Sequence, residues 1–330
     1  PDLKGFILNH AAFCLCAQSR LREALEPMRA SEDMFIEEDW KQAAGVAGNL
    51  SELQVTLGDL SAAVDSAQRS VAWADKSEDA FERLSDRTTL AEALQLSGES
   101  EAALVLFAEA ETMQQERQPE YPLLYSLQGY QYCDALLAGV VQMDDSAARA
   151  LILELRKRGK KTLTWAEQHL GLLAVALDHL TLARVLALSM YFTADGAGAN
   201  PPYADDSSAQ AAEIGEHFQQ AVAGLRDSGR EDILPQGLLH RATWYMQQGR
   251  LAAAQRDLQE ALQIAQRGEM RLHEVDARLG FAALLKRPDF ENREALEPNL
   301  TAGAHLDRAE ALIDATGYES RRGKLAALRQ

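Results

Sequence analysis

The stretch Arg156-Lys157-Arg158-Gly159-Lys160-Lys161-Thr162 is where this chain comes nearest to familiar chemistry. A Gly-Lys pair followed by a threonine resembles the tail of a phosphate-binding loop, in which backbone amides cradle phosphate and the lysine neutralises it. That loop also needs a glycine five residues before Gly159, and position 154 is Glu. No strand pattern precedes it either, so the backbone nest for phosphate does not form. Metal-protease, paired-cysteine and nucleophile-elbow motifs are missing, and the seven histidines are scattered. Asp178-His179 lies in an apolar helical pattern, where a histidine hydrogen-bonded to a neighbouring helix is the expected role. Such a buried polar pair fixes how two hairpins meet. The sequence therefore predicts no catalytic residue, no metal site and no cofactor.

Two clusters remain as binding candidates. Arg156, Lys157, Arg158, Lys160 and Lys161 form the one basic run on an acidic chain. At helical spacing they cover most of the circumference, so they cannot all serve one surface. They read either as a solvated helix end, where cations suit the helix dipole, or as a docking site for an acidic peptide, another domain or a nucleic-acid backbone. Gly159 in their midst makes a local break plausible. Tyr121, Tyr125 and Tyr132 share a helical face, with Gly129 leaving room on it. Tyrosine offers wide contact area with a polar tip, which suits either binding or a core between hairpins.

The elements that position these residues are helices in repeated pairs. Around Ser19, Gly58, Gly98 and Gly249 the sequence reads helix, tight turn, helix, with Ala24, Ala63, Ala103 and Ala254 five residues after each turn residue. A small residue fixed at one point of a repeated pair marks a close helix crossing, and a chain of such pairs is a solenoid. Helices are predicted near 3–18, 21–37, 40–57, 60–76, 79–97, 100–116, 121–142, 144–168, 170–191, 207–227, 231–248, 250–267, 270–286 and 301–316. The stretch 193–208 has no periodicity and is predicted as a long mobile loop; residues 287–303, with Pro288 and Pro298, read as an insertion. The expected organisation is one continuous solenoid, with hairpins over 1–192, the loop over 193–208, and hairpins plus a capping helix over 209–330.

At this point the residues resemble the tetratricopeptide repeat. Ala242, Tyr245, Gly249, Ala254, Leu258 and Ala261 carry its small–large–Gly–small–large–small spacing, and Leu90, Ala91, Leu94, Gly98, Ala103, Phe107 and Ala110 agree. The unit at Ser19 lacks the turn glycine, and the unit at Gly58 has Ser51 and Gln54 where Ala and Tyr are usual. The first three turns are spaced by 39 to 40 residues, longer than the repeat's usual period. The resemblance implies an all-α, right-handed superhelical solenoid of about seven hairpins whose first helices line a concave groove. In that geometry Asn9, Phe13, Cys16, Glu52, Val55, Thr88, Glu92, Gln95, Gln236, Leu239, Thr243 and Met246 face the groove, with Tyr125 and Tyr132 as further contacts. The set mixes polar, acidic and apolar groups, as a peptide groove does, and lacks the cationic ring that captures a terminal carboxylate. The stretches 124–133 (LYSLQGYQYC), 176–184 (ALDHLTLAR) and 316–322 (TGYESRR) resemble the repeat tails of bacterial NACHT- or STAND-type signalling proteins. That resemblance implies an NTPase or effector domain upstream in the same polypeptide. The alternative is a stand-alone peptide-sensing regulator of the quorum-sensing receptor type.

Composition agrees with an all-helical protein. Of 330 residues 47% are hydrophobic but only 6% aromatic, and Ala and Leu dominate. The net charge of -17 argues against nucleic acid and anionic membranes as partners and leaves proteins or peptides. Cys14, Cys16 and Cys133 are too few for a disulfide framework and suit a reduced, cytoplasmic protein. No run reads as a membrane span, and the Pro-Asp-Leu-Lys start without a methionine suggests a fragment of a longer chain.

Overall fold

A computed structural model describes residues 3–18, 20–36, 39–192, 204–290 and 300–330. Among these residues every regular element is helical, and helices adjacent in the chain pack on one another, so the fold is an all-α helical repeat. It divides into two compact units, Pro1–Pro122 with Leu258–Gln330, and Leu123–Asp257.

In the first unit, α1 (Leu3–Ala17) pairs with α2 (Leu21–Phe35), α3 (Trp40–Leu57) with α4 (Leu60–Ser77), and α5 (Ala80–Leu96) with α6 (Ser100–Arg117). α2 packs on α3 and α4 on α5, which joins the hairpins into a stack. Aspartates start several helices: Asp39 and Asp79 each accept two backbone N–H groups of the first turn, which satisfies donors that a helix start leaves orphaned. The turns end as the sequence predicts. Gly58 sits at φ 71°, and the amide of Asp59 bonds back to the Gln54 carbonyl, a closure that needs a left-handed residue. Gly98 and Gly249 are also left-handed, while Ser19 lies outside the described residues. Ala24, Ala63, Ala103 and Ala254 are all fully buried, as close helix crossings require. In the second hairpin Ser51 stands where alanine is usual, is fully buried, and donates its hydroxyl to the Ala63 carbonyl at 2.8 Å.

The same unit holds α13 (Arg271–Leu285), α14 (Ala302–Thr316) and α15 (Arg322–Arg329). These last helices return to the first hairpins instead of extending a linear stack. Leu60 of α4 shares one core with Val275, Leu279, Leu306, Ile313 and Tyr318. Arg271 donates to the Leu57 carbonyl at 2.6 Å, and the flank of Gly58 lies against Arg271, Leu272 and Thr316. Sequence periodicity cannot show this, because it reports the spacing of neighbours and not a return over two hundred residues.

The second unit comprises α7 (Ser126–Gly139), α8 (Asp145–His169), α9 (Leu172–Ser189), α10 (Ala204–Asp227), α11 (Leu234–Gln247) and the start of α12 (Leu251–Arg267). α9 is central, packing against α7, α8, α10 and α11. It is buried from Ala176 through Ala183 without a gap, which explains why no amphipathic period shows there. Contrary to expectation, α9 is long and apolar enough to cross a membrane, but 61% of it is buried inside this unit. Three further differences concern boundaries. α10 begins at Ala204, so the end of the expected loop is helical, while 193–203 and 291–299 lie outside the described residues. Residues 121–125 are not helical, and α7 starts only at Ser126. α8 runs unbroken through Gly159.

Candidate functional site

The expected groove residues fall in both units and differ in exposure. In the first, Phe13 and Glu52 are exposed, Asn9 and Glu92 are half-buried, and Val55 packs against the core built by the C-terminal helices. Thr88 is only 1% exposed and Gln95 is buried as well, so neither can meet a ligand on this surface. Thr88 turns its hydroxyl to the Ser85 carbonyl at 2.7 Å. The period of α5 placed these residues together but could not reveal that Thr88 and Gln95 are covered. In the second unit Thr243 is exposed and Leu239 and Met246 are half-buried along α11.

The tyrosines do not form the expected stripe. Tyr125 is the extended residue before α7, so its side chain does not follow the helical period. The space beside Gly129 is taken by the chain itself: an added Cβ would lie 2.4 Å from the Leu124 carbonyl oxygen. Tyr132 is half-buried with the Arg158 guanidinium 5.1 Å above its ring. Arg158 also donates to the Leu124 carbonyl at 3.1 Å, so it fastens the start of α7 to α8.

The rest of the basic run divides as helical geometry demands. Gly159 faces inward, where an added Cβ would stand 2.9 Å from the Leu182 side chain, so the glycine lets α8 and α9 cross closely and makes no break. Lys157, Lys160 and Lys161 are exposed and Arg156 is half-buried. They lie in mid-helix, so the reading as a helix end favoured by the dipole does not hold.

Between α8, α9 and α10 runs a buried polar seam. Thr162 donates to Asp178 at 2.7 Å, and burial, against the Thr162 bond and the Arg158 charge, pushes the Asp178 carboxyl up to about 7. His179 shares a 2.7 Å Nδ1···Nδ1 hydrogen bond with His217 of α10. Burial, helped by the neighbouring His217, lowers His179 to about 4, and burial lowers His217 as well. Asp178 and His179 thus turn to different helices, and they form structural joints and no dyad. His179 was legible as a cross-helix partner; His217 carried no local signal.

Other polar joints were invisible in the sequence. Asp86 of α5 packs against Gly48 of α3, and burial raises its carboxyl to about 7, with Glu82 and Glu52 adding to the rise against the Ser70 bond. Arg184 sits over the Tyr130 ring and pairs with Asp134. Burial opposes the Asp276 charge, yet Arg321 at 2.6 Å, with Lys324 and Tyr318, holds that carboxyl down to about 2. Tyr130, Asp178, His179, Arg184, Tyr318 and Arg321, from the stretches 124–133, 176–184 and 316–322, are therefore engaged in joints within their own units. Among the described residues no group of three or more His, Cys, Asp or Glu is placed to hold a metal ion, and all three cysteines are free thiols.

An open apolar face on α1 was missed except for Phe13. On α1, Leu3 is 71% and Ile7 58% exposed, and Phe6, Phe13 and Cys14 are exposed beside them. Helical spacing puts all five on one side, while Gly5 and Ala12 face the fold and Phe6 meets Phe35 edge-on at 5.0 Å. An apolar helix without alternating polarity reads as buried from the sequence, so exposure could not be inferred. No family model matches this chain, and no curated protein matches its sequence.

Proposed function

We propose that this chain is a non-enzymatic protein- or peptide-binding module built of tetratricopeptide-like hairpins. The outer face of α1 carries the proposal. The first helices of the later hairpins are covered by the preceding pair, as α2 covers α3 and α4 covers α5. The α1 face is apolar apart from the His10 side chain and stays open to water. Contiguous exposed apolar surface of this kind marks an interaction site, and the ligand that fits is an apolar helix of another protein. Because the hairpins bury their own core, the binding surface is preformed and only the partner must order. We place the module in a larger bacterial signalling protein on the strength of the three tail-like stretches alone, and in a reducing cytoplasm on its free thiols.

The test is a photoreactive amino acid placed at Ile7 in the cell, with the same substitution at exposed Glu101 of α6 as control. A discrete protein adduct at Ile7 and none at Glu101 supports the reading. Adducts equal at both positions, or none at either, would overturn it.

A further inference from the structure

We infer that the exposed face of α8 is a second docking surface, and that it takes an acidic, amphipathic helical segment of a partner protein. The inference rests on the reading of the chain as a binding module but concerns another face and another partner chemistry. Lys157, Lys160 and Lys161 are exposed, and no described carboxylate forms an ion pair with them or with Arg156. Several cations elsewhere are tied down by carboxylates: Arg69, Arg184, Arg241, Arg278 and Arg321 each hold one. Three lysines of the densest basic run in a chain of net charge -17 thus form no ion pair with a described carboxylate.

The apolar part of the surface lies in register with the charges. Leu153 is 54% exposed one turn before Lys157, and Trp165 follows one turn after Lys161, whose ammonium stands 5.1 Å from the indole ring. Residues 153, 157, 161 and 165 form one i, i+4 ridge, the feature by which helices commonly interlock. Glu154 and Glu167 are the exposed acids near it on α8, so the ridge itself is cationic and apolar. A helix presenting carboxylates with leucine-like residues at the same spacing matches both parts, and steering by opposite charge favours it. A nucleic acid matches less well. Its phosphates extend beyond the reach of three lysines into the field of an acidic protein, and Leu153 offers nothing to a phosphate backbone.

The test is selection from a displayed library of random peptides against the whole chain, with a Lys157→Glu/Lys160→Glu/Lys161→Glu variant and a Leu153→Ser variant alongside. These side chains are exposed, so the fold should survive, and far-UV circular dichroism checks that it does. The expected pool is richer in Asp and Glu than the input, carries apolar residues at i, i+4, and loses at least about tenfold in affinity on the triple variant and in high salt. Peptides that bind both forms equally would overturn the α8 assignment and leave the binding-module reading standing. Failure to enrich any peptide would overturn both. Single-stranded DNA or phosphatidylserine vesicles that bind through the three lysines, with no acidic peptide selected, would overturn the partner class.

Discussion

Replacing Asp178 with Asn should make the protein more stable, and increasingly so as pH rises. The carboxyl is buried in the α8–α9 seam, accepts from Thr162 at 2.7 Å, and has its second oxygen buried without a partner. It titrates near 7 in the fold and near 3.8 when free. Its folded value lies above its unfolded value, so proton binding favours the fold. That contribution is complete below the unfolded value and is lost as pH rises through 7. At about 1.4 kcal/mol per pH unit, the ionised group costs the fold on the order of 4 kcal/mol at pH 8 and about 1 at pH 4.5. Asparagine copies the neutral acid: its carbonyl still accepts from Thr162, and its amide replaces an equally unpaired hydroxyl. The stability gap between variant and wild type should therefore widen by about 3 kcal/mol from pH 4.5 to pH 8. Urea unfolding of both proteins at the two pH values reads this directly. A gap that stays constant with pH would refute the placement of a protonated carboxyl in the seam.

Other perturbations test the joints one at a time. Gly159→Leu should cost about 1–3 kcal/mol, because Leu182 already fills the space its side chain would need; a melting temperature equal to wild type would deny the close crossing of α8 and α9. Ala103→Leu and Ala254→Leu should each cost about 1–3 kcal/mol by forcing hairpin helices apart, and unchanged thermal melts would sink the repeat register. His305 of α14 is buried against Phe281 with both ring nitrogens unpaired, and burial, with Arg278 and Arg308 adding to it, lowers it to about 4. Its folded value lies below 6.5, so the stability it leaves intact above that pH is lost as pH falls through 4. His305→Leu should hence stabilise the fold by about 1–3 kcal/mol at neutral pH and by more near pH 4.5; denaturation showing a loss, or no pH dependence, would contradict this.

The repeat was legible because its signals are local. Gly58, Gly98 and Gly249 announce left-handed turns, and Ala63, Ala103 and Ala254 announce close crossings. What the sequence could not carry is which helices meet across long separations. The docking of Arg271 and Leu272 against Gly58 and the pairing of His179 with His217 depend on tertiary packing that no period encodes. The candidate surfaces show the same limit. The lysines of α8 were visible as a run, but their lack of carboxylate partners was not. Thr88 and Gln95 carried the groove pattern and proved buried, whereas Leu3 and Ile7, which no motif singled out, are exposed.

The most direct measurement is capture from bacterial lysate on the immobilised chain, compared with an Ile7→Asp/Phe13→Asp variant of matched helicity. The expected result is a protein held by the wild type at a defined stoichiometry and lost with the variant. Retention of the same proteins by both forms, or of none by either, would contradict a binding module that works through the open face of α1.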